Sequence, residues 1–141
     1  MSRKILFLLL ISMLSLAFMT SSVAAQEASD VTITVQGEIT SYQGIMVEEN
    51  TLVPLLSLVQ SMDLKITWYP GVEKVTLSSG ENTLTYVMDS TTITVNGEAV
   101  TSPAAPQLID NQEYLPLRII AENFGFTVNW NSATATVYLS K

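Results

Sequence analysis

A self-similarity at a fixed offset constrains this chain more than any other feature. From Leu52 the sequence runs through Pro54-Leu55 to Trp68, then on to Val75, Leu77 and Ser78. From Tyr114 it runs through Pro116-Leu117 to Trp130, then on to Val137, Leu139 and Ser140, 62 residues later throughout. After Pro116, the residues Leu117, Ile120, Ala121 and Phe124 recur at i, i+3, i+4 and i+7, which is one face of a helix; after Pro54 the same slots hold Leu55, Leu58, Val59 and Met62. Proline suits the first helical turn, where its missing N–H would be unpaired anyway. Gly125 stands where a helix ends in the left-handed conformation, and Asp63 takes that place in the first copy. The period then switches to two: Phe126, Val128 and Trp130 alternate with Thr127 and Asn129, as Leu64, Ile66 and Trp68 alternate with Lys65 and Thr67. A turn, with Pro70-Gly71 suiting type II in the first copy, leads to a second strand that buries Val75 and Leu77, or Val137 and Leu139. Each unit reads as helix, strand, turn, strand.

The repeat extends upstream at a slightly different offset. Thr32-Ile33-Thr34-Val35 ends in Gln36-Gly37, and Thr92-Ile93-Thr94-Val95 ends in Asn96-Gly97, 60 residues on. Asn-Gly is a strong hairpin signal because both positions accept positive φ. The two residues by which the offsets differ fall in the loop-like Ser102-Pro103-Ala104-Ala105-Pro106. Further hairpins are expected around Glu48-Glu49-Asn50 and Asp110-Asn111-Gln112. The expected fold is α+β: antiparallel sheet units each packed on a short helix, in a pseudo-repeat of about 60 residues. The half-repeats span 31–78 and 91–140, linked by a strand at 83–88 in a single domain over 31–141. A unit of about 60 residues buries little surface alone, so the halves are expected to fold together.

Residues 1–25 carry a secretory signal: basic Arg3 and Lys4, an apolar run from Ile5 to Phe18, and the small-residue site Val23-Ala24-Ala25. The apolar run is shorter than the roughly 20 residues of a membrane span. Cleavage is therefore expected near Ala25, leaving a polar leader at 26–30 and no stable membrane insertion. Removing Arg3 and Lys4 leaves four cations against thirteen carboxylates, a net charge of −9. Such a surface repels nucleic acid and anionic lipid.

The hairpin, the run Tyr114-Leu115-Pro116-Leu117-Arg118, the helix, Gly125 and the strand ending in Trp130 together resemble the copper amine oxidase N-terminal-like domain, or stalk domain, family. The resemblance covers roughly Val31 to Lys141, and its structural signature here is Pro54, Trp68, Asn96, Gly97, Pro116, Arg118, Gly125 and Trp130. It implies an exported protein of a Gram-positive bacterium, an antiparallel sheet wrapped on a helix, and a module remote from catalysis. The first copy departs from the pattern at Leu56, which replaces the arginine seen at Arg118, and at Asp63.

No catalytic, cofactor or metal residues are assigned. The chain has no histidine and no cysteine, so the ordinary imidazole and thiolate ligands of copper are missing. Carboxylates at Glu48-Glu49-Asn50 and Asp110-Asn111 suit weak calcium binding, but read better as solvated turns. A serine or threonine nucleophile would lack a histidine base, and the scattered acids suggest no glycosidase pair. Trp68 and Trp130, with Tyr69, offer a possible sugar-stacking platform. Their phase with Ile66 and Val128 instead assigns them to the core. Arg118 is expected to brace the helix start, with Glu122 one turn away. The threonines Thr32, Thr34, Thr92 and Thr94 are read as solvent faces, with Thr32 to Val35 a candidate edge for self-association or partner capture. The function expected is that of a non-catalytic exported module, secreted or wall-associated, binding an envelope protein or a neutral glycan. The alternative is a small secreted carbohydrate-active enzyme or glycan-binding domain.

Overall fold

A computed structural model describes residues 29–141. The secretory signal and most of the polar leader lie outside the described residues. Fourteen elements follow one another: β1 (Asp30–Val35), β2 (Glu38–Val47), β3 (Asn50–Pro54), α1 (Leu55–Ser61), β4 (Lys65–Tyr69), β5 (Lys74–Ser79), β6 (Asn82–Val87), β7 (Thr92–Val95), β8 (Glu98–Thr101), β9 (Gln107–Ile109), β10 (Gln112–Pro116), α2 (Leu117–Asn123), β11 (Thr127–Asn131) and β12 (Thr136–Ser140). The α+β architecture with two repeated units is as expected, but the units do not close on themselves. A seven-stranded sheet runs β11-β12-β1-β2-β3-β10-β9, and a five-stranded sheet runs β4-β5-β6-β7-β8. Each unit's C-terminal hairpin has joined the sheet that holds the other unit's N-terminal strands. One junction is parallel, β1 against β12, within sheets otherwise antiparallel.

The centre of this exchange is the pairing of β3 with β10. Val53 faces Leu115, while Leu52 faces Pro116 and Pro54 faces Tyr114. Val53 and Leu115 are equivalent in the repeat, as are Pro54 and Pro116, so the register reads the same from either unit. This is the geometry of a two-fold interface, built here within one chain. The prolines end their strands with extended backbone, φ −60° and −65°, and the helices begin one residue later than the first-turn reading placed them. Both helices bury the predicted face, and both end alike. Leu64 N–H donates to Val59 O and Phe126 N–H to Ala121 O, across Asp63 (φ 53°) and Gly125 (φ 86°). Asp63 holds the left-handed position that glycine takes without a Cβ penalty.

One core cluster draws on both units and on β6: it includes Ile33, Val53, Leu58, Leu77, Leu84, Leu115, Ile120 and Leu139. The two-residue insertion has a clear consequence. In the first unit β2 runs unbroken for ten residues, with Gly44 at its crossing of β3. A Cβ on Gly44 would stand 2.9 Å from Thr51 Cγ2 and 3.0 Å from the Leu52 carbonyl. In the second unit the equivalent strand is split into β8 and β9 by the loop at 102–106.

The edge expected at Thr32 to Val35 is not an edge. β1 is paired on both sides, by β12 and β2, and Thr34 is buried with its hydroxyl donating to Val137 O at 3.2 Å. The reading failed because a strand near the chain's start looks free in sequence, whereas β12 returns from the far end to cover it. Thr32 is half-buried as well, Thr94 likewise, and Thr92 alone of the four is exposed.

Candidate functional site: two tryptophan grooves

The core assignment of the tryptophans is overturned. Trp68 is 50% exposed and Trp130 40%, although Val128, two residues before Trp130 on the same face, is buried. Alternation identifies a face of a strand but not how far along that face the cover extends. A helix of seven residues is only about 10 Å long; Trp130 sits beyond the one buried residue of β11, Val128, and no residue of β4 is fully buried.

What lies beside each tryptophan is the hairpin turn of the opposite unit. The Trp130 groove, about 150 Å³, is lined by Leu117, Arg118 and Val128 from its own unit and by Glu49, Asn50 and Thr51 from the other. On the pseudo-equivalent side, Trp68 shares a hollow of about 240 Å³ with Leu55, Leu56, Asn111, Gln112 and Glu113. Trp68 and Glu113 also line a neighbouring concavity of about 390 Å³, with Tyr69, Lys74, Met88 and Leu108 among its walls. Each turn has positive φ at both corners, at Glu48 and Glu49 and at Asp110 and Asn111, which is the type I′ pattern. The acidic turn residues are exposed, and Asn50 Nδ2 donates to Glu48 O.

Around Trp68 the surface is apolar and aromatic. Leu56 is 62% exposed, Leu108 59% and Tyr69 44%. The Lys74 ammonium lies 5.2 Å from the centre of the Tyr69 ring, a cation–π contact. Two polar atoms here are sealed from water. Glu113 Oε2 and the Tyr86 hydroxyl find no hydrogen-bond partner among the described residues. Burial pushes the Glu113 carboxyl up from its ordinary value. Burial also pushes the Tyr86 phenol up, and the nearby Glu113 charge pushes it further. The groove therefore offers an exposed apolar and aromatic rim, while the unsatisfied Glu113 oxygen is sealed beneath it.

The other signature residues serve the frame. Pro54 and Pro116 lie in the central strand pair. Asn96 and Gly97 form the β7–β8 turn, and Asn96 Oδ1 accepts the Thr83 N–H at 2.8 Å, tying that hairpin to β6. Arg118 donates through Nη1 to Glu122 Oε1 and to the Val128 carbonyl, both at 3.2 Å, so it fastens α2 to β11 along the Trp130 groove. Sequence reasoning missed Glu113, Leu108, Lys74 and Tyr86. A signal for Glu113 existed: it occupies the repeat position that Thr51 holds in the first copy.

The sequence profile of the copper amine oxidase N-terminal domain matches residues 26–139, which takes in the central strand pair, both helices and both grooves. The chain belongs to this family. It is a family of non-catalytic modules, typical of exported bacterial proteins. No curated protein sequence matches the chain. The copper in the family's name does not fit these residues. The chain has no histidine or cysteine, and no three Asp or Glu side chains gather among the described residues. Among those residues, too, no helix is long and apolar enough to cross a membrane.

Proposed function

We propose that this copper amine oxidase N-terminal domain protein is an exported, non-catalytic binding module of the bacterial cell envelope, secreted or wall-associated. Its contact surface is the open groove around Trp68. The observation that carries this reading is the exposure of Trp68 and Tyr69 beside Leu56 and Leu108. Large apolar side chains gathered at one rim, rather than scattered singly, mark surfaces that meet a partner. A charge of −9 after signal removal argues against nucleic acid and phosphate-rich wall polymers, and leaves envelope protein or neutral glycan.

Co-sedimentation with washed envelope fractions of the host tests this. The protein without its signal should pellet with at least one fraction. Trp68→Ala should reduce the bound share at least fivefold, whereas Ile39→Ala, exposed away from both grooves, should leave it unchanged. Equal binding by the Trp68 variant would place the contact elsewhere. A protein that ignores every fraction and cleaves a glycan would be the secreted enzyme instead.

A further inference from the structure

Of the four sheet edges, β8 carries Glu98 and β9 is three residues long; the two five-residue edges, β4 and β11, are equivalent in the repeat. An edge strand exposes a row of unpaired N–H and C=O groups, which proteins commonly blunt against pairing. Which residues carry that row follows from the neighbouring strands, because successive residues turn their backbone groups to opposite sides. On β12 the Leu139 carbonyl accepts the Gln36 N–H from the β1 side. Val128 stands opposite Leu139, so its own backbone groups point out to the free edge of β11. Arg118 Nη1 donates to the Val128 carbonyl, and the guanidinium therefore caps that edge.

The same reasoning leads to an uncapped edge in the first unit. Thr83 is bonded on the β7 side, its carbonyl accepting the Asn96 N–H and its N–H donating to Asn96 Oδ1. Leu84 therefore turns to β5, and its partner Leu77 turns to β6. Ile66, opposite Leu77, presents its backbone groups to the free edge of β4, as does Trp68 two residues on. The residue equivalent to Arg118 is Leu56, whose side chain has no hydrogen-bond donor. Among the described residues β4 is the five-residue edge left open.

We propose that two copies of this protein pair through β4, antiparallel about a two-fold axis at Thr67, and join their five-stranded sheets edge to edge. The strand is complementary to itself in this register. Ile66 of each copy stands opposite Trp68 of the other, an aromatic–β-branched pair on the inner face, and each such pair exchanges both of its N–H···O bonds. On the outer face Thr67 meets Thr67 and Lys65 meets Tyr69, so no like charges are opposed. A one-residue slip would set inner side chains against outer ones. The hollow of about 240 Å³ between Leu56 and Trp68 lies on the face where the second copy's Ile66 arrives. β4 carries one cation and no carboxylate in a chain of net charge −9 without its signal, so two acidic bodies meet here without carboxylate facing carboxylate. The contact is small beside that of a permanent dimer, and the pairing is accordingly weak. It goes beyond the envelope-binding reading and does not depend on it.

Sedimentation equilibrium of the chain without its signal tests this, in about 0.3 M salt to screen repulsion between the copies. It should show monomer and dimer in exchange, with Kd between about 10 μM and 1 mM. Thr67 is exposed, so changing it spares the monomer's core. Thr67→Lys and Thr67→Glu, each alone, set like charges together at the axis and should weaken dimerisation about tenfold or more. An equimolar mixture of the two variants should restore it. Circular dichroism melts establish that each is folded. The chain has no cysteine, so Thr67→Cys supplies a single thiol. At the axis it falls in a non-hydrogen-bonded pair with Cα atoms about 4.5 Å apart, within disulfide reach. With oxidised glutathione as the oxidant, Thr67→Cys should cross-link to itself about tenfold faster than Asn129→Cys, the equivalent site on the capped edge.

A protein that stays monomeric to about 1 mM would overturn the pairing and leave β4 as an edge for a strand of another protein. A dimer indifferent to Thr67→Lys, or equal cross-linking at positions 67 and 129, would put the contact elsewhere and overturn the β4 assignment.

Discussion

The two tryptophan grooves are the same piece of scaffold made twice, and they have come out different. In each, a tryptophan near the end of an edge strand meets the type I′ turn of the other unit. In the second unit Arg118 lies along the groove, bonded to Glu122 and to the Val128 carbonyl, and the remaining hollow is about 150 Å³. The first unit has Leu56 at that position, with Tyr69, Leu108 and Glu113 where the second has Asn131, Met46 and Thr51. Its concavities are larger, and its exposed surface is more aromatic. The repeat places the tryptophan, and the non-repeated neighbours decide whether the groove beside it is filled by the protein's own side chains or left for a ligand. The places where the first copy departs from the pattern are therefore more informative about binding than the places where it conforms.

This comparison presumes that both grooves rest on one folded body. The central strand pair is where to break it. Leu115 is fully buried opposite Val53, and Leu115→Ala should cost roughly 2–5 kcal/mol. Because the hairpins are exchanged between sheets, the loss should reach both grooves together. Denaturation followed in Trp68→Phe and in Trp130→Phe backgrounds should give coincident midpoints in each case. Separate midpoints would mean that the halves unfold independently and that the grooves cannot be compared as one scaffold's products.

The tryptophans themselves come next. A fully buried ring removed to alanine costs about 3–5 kcal/mol. At 50% and 40% exposure, Trp68→Ala and Trp130→Ala should cost only about 1–2 kcal/mol each. Urea unfolding checks both. Trp130 should be the costlier of the two, being the less exposed. A loss of 3 kcal/mol or more at Trp68 would return that ring to the core and close the open groove.

The sequence shows these elements well and their partners poorly. Period-3.6 runs after Pro54 and Pro116 and period-2 runs around Ile66 and Val128 mark helices and strands by local physics alone. The buried faces follow from the same pattern. Which sheet a hairpin joins is not a local property, so nothing in Thr136 to Ser140 announces that β12 pairs with β1 across the whole chain. The misreading of Thr32 to Val35 as an edge has this one cause. The tryptophans were misplaced for a related reason, since alternation is blind to where a short helix stops covering a strand. Glu113 was invisible because its environment comes from two sheets: it lies on β10, and the Tyr86 hydroxyl that feels its charge lies on β6 of the other sheet.

The turns that border the grooves differ by a smaller amount. Asp110 and Asn111 tolerate positive φ better than most residues, whereas Glu48 and Glu49 have no such preference and hold φ values of 45° and 68°. Glu49→Gly should therefore stabilise the protein by about 1 kcal/mol, read as a higher urea midpoint at unchanged slope. Asn111→Gly should gain less. Equal gains at both turns would show that the strain is shared and that the first unit's turn is no less comfortable than the second's.

The smallest effect should be the most selective, because only the first unit's groove carries a titrating group at this position. Glu113 has a carboxyl pushed up by burial, and its neighbours are Tyr86 behind it and Lys74, Glu73 and Asp89 around the groove. A carboxyl whose folded pKa lies above its unfolded value favours the folded state when protonated. Its stabilising contribution is present below the ordinary glutamate value of 4.5 and is lost as pH rises through the folded value. Glu113→Gln should therefore leave stability nearly unchanged at low pH and raise it near neutrality. The gain should stay under about 1 kcal/mol, because the side chain as a whole is half-exposed and water screens its charge. The difference between wild type and variant isolates this group from the other carboxylates, which titrate in both. In the Trp130→Phe background the Trp68 fluorescence should follow the same pH step, and in the Trp68→Phe background the Trp130 signal should not, since Thr51 holds the position of Glu113 there and the one carboxylate lining that groove, Glu49, is exposed. A pH step of equal size at both tryptophans would mean that the titration is global and does not report on Glu113.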